Sequence, residues 1–240
     1  MIRMTQSATA TSTLANGRTS PARSREPQEG LAALIHSLIN SCGSTPEVPR
    51  AIGVTSCRRG AGVSTVSANL ALAAAECLPG PVLLVEANFS RPSMGQLFGL
   101  RNAPGLREIL CGEANPYSAP QSIGYENIAL VTAGASAGSR PPAITTAAIR
   151  NLLEVWRQDF SLILFDLPAA DGSDSRVSIA SGLDGVVLVI EPGHVSSRAA
   201  QRAQTLLQQY RAKILGVVFN KQSKPAALSY TNGSSHGRAG

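Results

Sequence analysis

A chain of 240 residues with 43% apolar content can bury one full core, and a single domain with polar tails fits the usual domain size. Its formal charge of +6 is spread along the chain and aromatic residues make up only 4%, so stacking surfaces are scarce and no nucleic-acid partner is expected. The four cysteines, Cys42, Cys57, Cys77 and Cys111, form no CxxC pair, which excludes a zinc site or disulfide framework and points to a reducing cytoplasm, and no apolar run approaches the ~20 residues that span a bilayer, so any membrane role is peripheral.

Residues 1–28 are rich in Ser, Thr, Ala, Arg and Pro. With almost no large apolar side chains they cannot offset the entropy of ordering and read as a disordered tail. From Glu29 to Asn40 the pattern changes, with Leu31, Leu34, Ile35, Leu38 and Ile39 forming one apolar stripe on a helix. Ser41 to Pro49 is a linker. Ala51 to Thr65 then reads as strand and glycine loop, opening a helix from Ser64 to about Glu76 whose small residues permit close packing on a sheet. Pro79-Gly80 breaks the chain before Val82 to Val85, a continuous apolar run suited to a strand buried on both faces.

Further strands are expected at Ile128 to Thr132, Leu162 to Phe165, Val186 to Ile190 and Ile214 to Phe219, with helices at Gly105 to Leu110, Ala143 to Arg157 and Ser196 to Tyr210. This alternation predicts an α/β fold, a doubly wound, mostly parallel sheet flanked by helices, with ligand at the carboxyl ends of its strands. The domain runs over 29–222, and 223–240 returns to Ser, Gly and Ala as a flexible tail.

The loop Ser56-Cys57-Arg58-Arg59-Gly60-Ala61-Gly62-Val63-Ser64-Thr65 is the main chemical signal. A glycine turn feeding a helix N-terminus converges free backbone N–H groups and the positive end of the helix dipole on one anion site. Gly60, Ala61, Gly62, Val63, Ser64 and Thr65 are the expected phosphate cradle, and Ser64 the hydroxyl for magnesium. In the pattern G-x-x-x-x-G-K-[ST] a Lys reaches the terminal phosphates, but here that position is Val63 and the first Gly position is Cys57. Arg58 and Arg59 are the basic residues that could replace the lost charge, their plain alternative being two solvated loop arginines. Cys57 reads either as a thiol near a helix N-terminus or as a small buried residue.

A lone carboxylate at the tip of an apolar strand is costly to bury unless it meets a metal, a water or a cation. Asp166, after Leu162 to Phe165, is therefore the best acidic candidate, as a magnesium ligand or as the group that polarises a nucleophile. Its plain alternative is to cap the following turn. Glu86, after Val82 to Val85, is a second catalytic candidate whose extra methylene displaces its carboxylate from where an Asp would put it. Asn220, past Ile214 to Phe219, is placed to hydrogen-bond an adenine edge or to serve as a turn residue.

Over about residues 29–222 the set resembles the cytoplasmic domain of bacterial tyrosine autokinases of capsule and exopolysaccharide synthesis, relatives of the MinD and ParA ATPases. The family's S-x-x-P-G-E-G-K-S-T and A-x-N-L-A stretches resemble Ser56 to Thr65 and Ser67 to Ala71, and its V-L-L-I-D-A-D-x-R-x-P resembles Val82 to Pro92. Its I-I-I-D-x-P-P resembles Leu162 to Ala169, and its A-D-G-V-x-L-V-V and L-G-x-V-x-N resemble Leu183 to Ile190 and Leu215 to Asn220. The resemblance implies a P-loop NTPase fold, ATP or ADP with magnesium as ligands, and the cytoplasmic tail of an inner-membrane polysaccharide co-polymerase as partner. It also implies a homo-oligomer and a cytoplasmic location peripheral to the inner membrane.

The departures from the family pattern bear on catalysis. Its Lys is Val63 here, and its two carboxylates for magnesium and catalysis are Glu86 and Asn88. Its ring-assembly helix E-x-x-R-x-x-R reads Glu29, Ala32 and Ile35, and its C-terminal tyrosine cluster is reduced to Tyr230. Losing a Lys on the β and γ phosphates removes ~1.5 to 3 kcal/mol in the ground state and more in the transition state. The expectation is a degenerate kinase-like protein with weak or no catalysis, a regulatory or scaffolding partner of the co-polymerase. The alternatives are a working tyrosine kinase in which Arg58 or Arg59 replaces the Lys, and a ParA/MinD-like ATPase switch.

Overall fold

The computed structural model describes residues 50–135 and 144–221, together with 3–5, 12–13, 19–20 and Ile35. In chain order the domain runs β1 (Ala51–Ser56), α1 (Val63–Cys77), β2 (Val82–Glu86), α2 (Met94–Phe98), α3 (Leu106–Leu110), β3 (Gln121–Ser122) and β4 (Ile128–Val131). It continues through α4 (Thr146–Trp156), β5 (Leu162–Asp166), a 3-10 turn at Ser175–Gly182, β6 (Gly185–Ile190), α5 (Ser197–Gln209) and β7 (Ile214–Phe219). These strands lie side by side in the order β7-β6-β1-β5-β2-β4-β3. All pairs are parallel except β3 with β4, so the doubly wound, mostly parallel sheet expected from the sequence is the observed fold.

The strands are Val, Leu and Ile runs because they are covered on both faces. In β5, Ile163 and Phe165 point to one apolar cluster with α4 and α5, while Leu162 and Leu164 point to another under α1. Residue alternation along the strand fixes this division. Trp156 closes the first face, 1% exposed, its ring 6.3 Å from that of Phe165 and its indole N–H donating to Pro116 O at 3.0 Å. On the second face α1 approaches closely through Ala68, Ala71, Ala73 and Ala74, all buried. Gly53, in the central strand, has no room for a side chain, since a Cβ there would lie 2.6 Å from a Leu167 methyl.

Thr145 caps α4 by accepting from Ala148 N–H at 3.1 Å, which starts that helix slightly later than its apolar pattern suggests. The α2 helix, β3 and the 3-10 turn were not expected, being too short to show a period. Of the amphipathic helix expected over 29–40 only Ile35 is described, helical and 2% exposed within the α1 cluster. In the expected tail 1–28, Arg3–Thr5 runs parallel to β7 at the sheet edge, and Ser12–Thr13 pairs antiparallel with Thr19–Ser20. The rest of that tail, and 223–240, lie outside the described residues. No helix among the described residues is long and apolar enough to cross a membrane.

The chain steps from β1 outward to β2 and β4 on one side, and the later strands β6 and β7 lie on the other. The sheet therefore reverses its direction of growth beside β1, where doubly wound folds open a crevice at their carboxyl edge.

Candidate nucleotide site

The loop leaves β1 at Ser56 and is pinned before it turns. Thr55 Oγ1 donates to Pro168 O at 2.7 Å, Ser56 Oγ to Arg58 O at 2.7 Å, and Ala170 N–H to Ser56 O at 2.8 Å. Gly60 and Gly62 take left-handed φ of 81° and 87°, conformations that side chains disfavour. Gly62 is the N-cap of α1 and brings no side-chain cap, and the first i→i−4 bond is Val66 N–H to Gly62 O at 3.0 Å. The earlier N–H groups of the first turn have no intrahelical acceptor, so they are available to an anion.

Beneath the loop, β5 is hydrogen-bonded to β1 and sets Asp166 opposite Val54. Ser64 Oγ donates to Asp166 Oδ2 at 2.7 Å, and Ser67 Oγ to Oδ1 at 3.3 Å. Asp166 is 1% exposed. Burial pushes its carboxyl up to about 7 against the pull of the Ser64 hydroxyl, with the Glu86 charge adding to the rise and Ser67 opposing it. The two expected magnesium residues are thus in contact.

Glu86 lies beside Asp166 in the sheet register and is fully buried. Expected as a catalytic carboxylate, it has other partners. Oε1 accepts from the N–H groups of Ser93 and of Met94, the latter at 2.8 Å, and Oε2 from Ala133 N–H at 3.2 Å. The carboxylate fastens the start of α2 to the strand end after β4, and the added methylene gives it that reach.

Asn220, expected to meet an adenine edge, also contacts the loop. Asn220 donates from Nδ2 to Ala61 O at 2.8 Å, and a Cβ on Gly62 would lie 2.3 Å from that nitrogen. It braces the loop. Arg58, expected among the phosphate ligands, turns away to pair with Glu191 at 3.3 Å. Arg59 instead lines the cleft, its guanidinium donating to Ser173 Oγ at 2.8 Å and 3.9 Å from Asp171. Val63 lies at the cleft floor and packs against the α1 apolar cluster, and Cys57 is a buried thiol whose pKa burial raises.

The cleft has a volume of about 350 Å3 and is bounded by the loop, Ser64 and Thr65 on one side and by Asn88, Ser90 and Arg91 on the other. At its far rim Ser90 Oγ donates to Asp174 at 2.8 Å and accepts from Arg176 at 2.7 Å. Burial works against the Asp174 charge, but the bonds from Arg176 hold its carboxyl below the ordinary range. Asp174, Arg176 and Lys221, whose Nζ meets Gly60 O at 2.5 Å, escaped the sequence reading. No motif marks the first two, and Lys221 stands next to Asn220 without any periodic signal.

The residues present fit a nucleotide polyphosphate. Two left-handed glycines bare the loop backbone, α1 lacks a side-chain cap, and the Ser64 hydroxyl lines the cleft with the buried Asp166 carboxylate hydrogen-bonded behind it, both oxygen groups of the hard type. Ser64 and Asp166 are the residues that would hold magnesium.

A family profile described as ParA, NUBPL iron-transfer P-loop NTPase, matches residues 47–229. The chain is 26% identical over 183 residues to the tyrosine-protein kinase YwqD of Bacillus subtilis, covering 75% of this chain and 77% of the relative. It is 27% identical over 175 residues to the succinoglycan biosynthesis transport protein ExoP of Rhizobium meliloti, covering 72% of this chain and 22% of that longer protein. Among solved structures, the kinase domain of the Escherichia coli tyrosine kinase ETK superposes with a TM-score of 0.72 at 23% identity, over 87% of this chain and 80% of that one. The septum site-determining protein MinD of Pyrococcus horikoshii, complexed with Mg-ADP, superposes with a TM-score of 0.56 at 22% identity, over 71% and 69%.

Proposed function

The chain belongs to the ParA/MinD-like P-loop NTPases, and from that premise we propose that it is a nucleotide-binding, kinase-like protein of capsule or exopolysaccharide synthesis whose phosphoryl transfer is weak or silent. It acts as the regulatory or scaffolding partner of a membrane polysaccharide co-polymerase, binding that protein's cytoplasmic tail at the inner membrane. The relatives support the setting, being tyrosine kinases and a succinoglycan transport protein.

One observation carries the catalytic part. Val63 stands where the loop needs a cation and packs into the apolar cluster, while the Glu86 carboxylate is taken up by three backbone amides. Magnesium, when bound, supplies charge neutralisation to the phosphates. The loop amides orient the polyphosphate, Ser64 lines the site with Asp166 hydrogen-bonded behind it, and Asn220 keeps the loop in shape. Lacking a positioned Lys at the transferring group forgoes ~3 to 4 kcal/mol of transition-state stabilisation, a factor of several hundred in rate.

The test is the rate of ATP hydrolysis and self-phosphorylation of the purified chain, beside its binding to a peptide of the co-polymerase tail. Turnover at rates typical of kinases would sink the silent reading. A second reading, an active kinase, draws on Arg59, which lines the cleft mouth. Under it, Arg59→Ala abolishes transfer.

A further inference from the structure

We infer that Lys221, delivered from the end of β7, supplies a bound nucleoside polyphosphate with a ground-state ammonium contact that helps hold the phosphates without taking the place of a loop Lys at the transferring group, and that Glu191 restrains it. The inference rests on the nucleotide-binding part of the reading above and adds the residue that recognises the phosphates.

Consecutive residues Asn220 and Lys221 hold consecutive carbonyls of the loop. The Asn220 amide donates to Ala61 O at 2.8 Å and the Lys221 ammonium to Gly60 O at 2.5 Å. Along a regular strand neighbouring side chains point to opposite faces. Here Lys221 takes a left-handed φ of 58°, a conformation that a side chain seldom adopts without support from its surroundings, and both side chains reach the same loop. Its Cε passes 3.8 Å from the point where Gly62 would carry a Cβ. The bare glycine is what lets the stem cross the loop crest.

An ammonium has three donors. Gly60 O takes one, and Glu191 Oε2 at 3.7 Å holds the charge by a longer ion pair, so a donor remains for a phosphate oxygen. Gly60 itself lines the cleft, and a flexible four-carbon stem permits the head to move over it. The nearby arginines are less well placed. Arg58 is held outward by Glu191, and Arg59 is tied across the mouth to Ser173. Glu191 draws on Arg58, Lys221 and His194 together, so a polyphosphate must compete with it for Lys221.

Calorimetric titration of the full chain with Mg-ATP and with inorganic pyrophosphate tests this. Lys221→Met should raise both Kd values about 30-fold, equivalent to about 2 kcal/mol, with the melting temperature of the ligand-free protein unchanged because the side chain is half-exposed. Glu191→Gln should lower both about threefold. A Lys221→Met variant that binds within twofold of the parent overturns the inference and leaves the proposed function standing. A parent chain that binds neither ligand overturns it together with the nucleotide part of that function. Rapid phosphoryl transfer by the parent bears on the silent reading alone. A Glu191→Gln variant that binds more weakly removes the restraint.

Discussion

The Ser64 hydroxyl donates to Asp166 Oδ2 at 2.7 Å, joining the first turn of α1 to the tip of β5. This bond couples the loop to a carboxyl that burial lifts from 3.8 to about 7.

Because the folded-state pKa lies above the unfolded one, folding disfavours the charged form. Below pH ~4 Asp166 is protonated in both states and imposes nothing, and as pH rises through about 7 the penalty develops in full. At 1.36 kcal/mol per unit it reaches about 4 kcal/mol above pH 8. In metal-free buffer, Asp166→Asn should raise the melting temperature at pH 8 and much less at pH 5. Equal shifts at the two pH values would show that the carboxyl is not held neutral by its surroundings.

Glu86 accepts three backbone N–H bonds while wholly buried. Glu86→Gln leaves one acceptor oxygen where there were two, and an NH2 group facing amide donors, so it should destabilise the fold by ~1 to 3 kcal/mol. Denaturant unfolding of the ligand-free chain measures this. An unchanged midpoint would mean that the carboxylate is free for other work.

Restoring the missing groups tests the origin of catalytic silence. Val63→Lys combined with Asn88→Asp should raise ATP hydrolysis ~100-fold or more, since it returns a cation and a carboxylate to a cleft whose loop geometry is retained. The long stem of Lys can cover the apolar contacts of Val63 while its head enters the cleft. A double variant as slow as the parent would place the defect elsewhere, with Glu86 the next position to restore.

Gly62 has φ 87°, and a Cβ there would lie 2.3 Å from the Asn220 amide. Gly62→Ala should lower stability by more than 1 kcal/mol and weaken Mg-ADP binding, whereas Gly60→Ala, with open space around its Cβ, should suffer only the backbone strain. Comparing the two melting temperatures separates the clash from the strain.

The architecture was legible in the chain because fully buried parallel strands must be uninterrupted Val, Leu and Ile runs, and the glycines of a phosphate loop must stand at set distances before a helix. Ser64 and Asp166 were legible for the same reason, each being tied to the end of such an element. The family resemblance rested on these ordered stretches and agrees with the profile match over 47–229. The short elements α2 and β3 were not legible, since five residues and two residues show no period, and α2 takes its position from the buried Glu86 carboxylate at the end of the preceding strand.

Side-chain direction at the strand ends was decided by tertiary structure alone. Nothing local distinguishes Arg58 from Arg59, and they part because Glu191, 133 positions on, draws the first away while Ser173 holds the second at the cleft. Asn220 and Ala61 are 159 positions apart, and only the adjacency of β7, β6 and β1 in the sheet brings that amide onto the loop. A polar group near the carboxyl edge takes whichever partner satisfies it as it is buried, and the order of strands, not the neighbours in sequence, determines which partners are there.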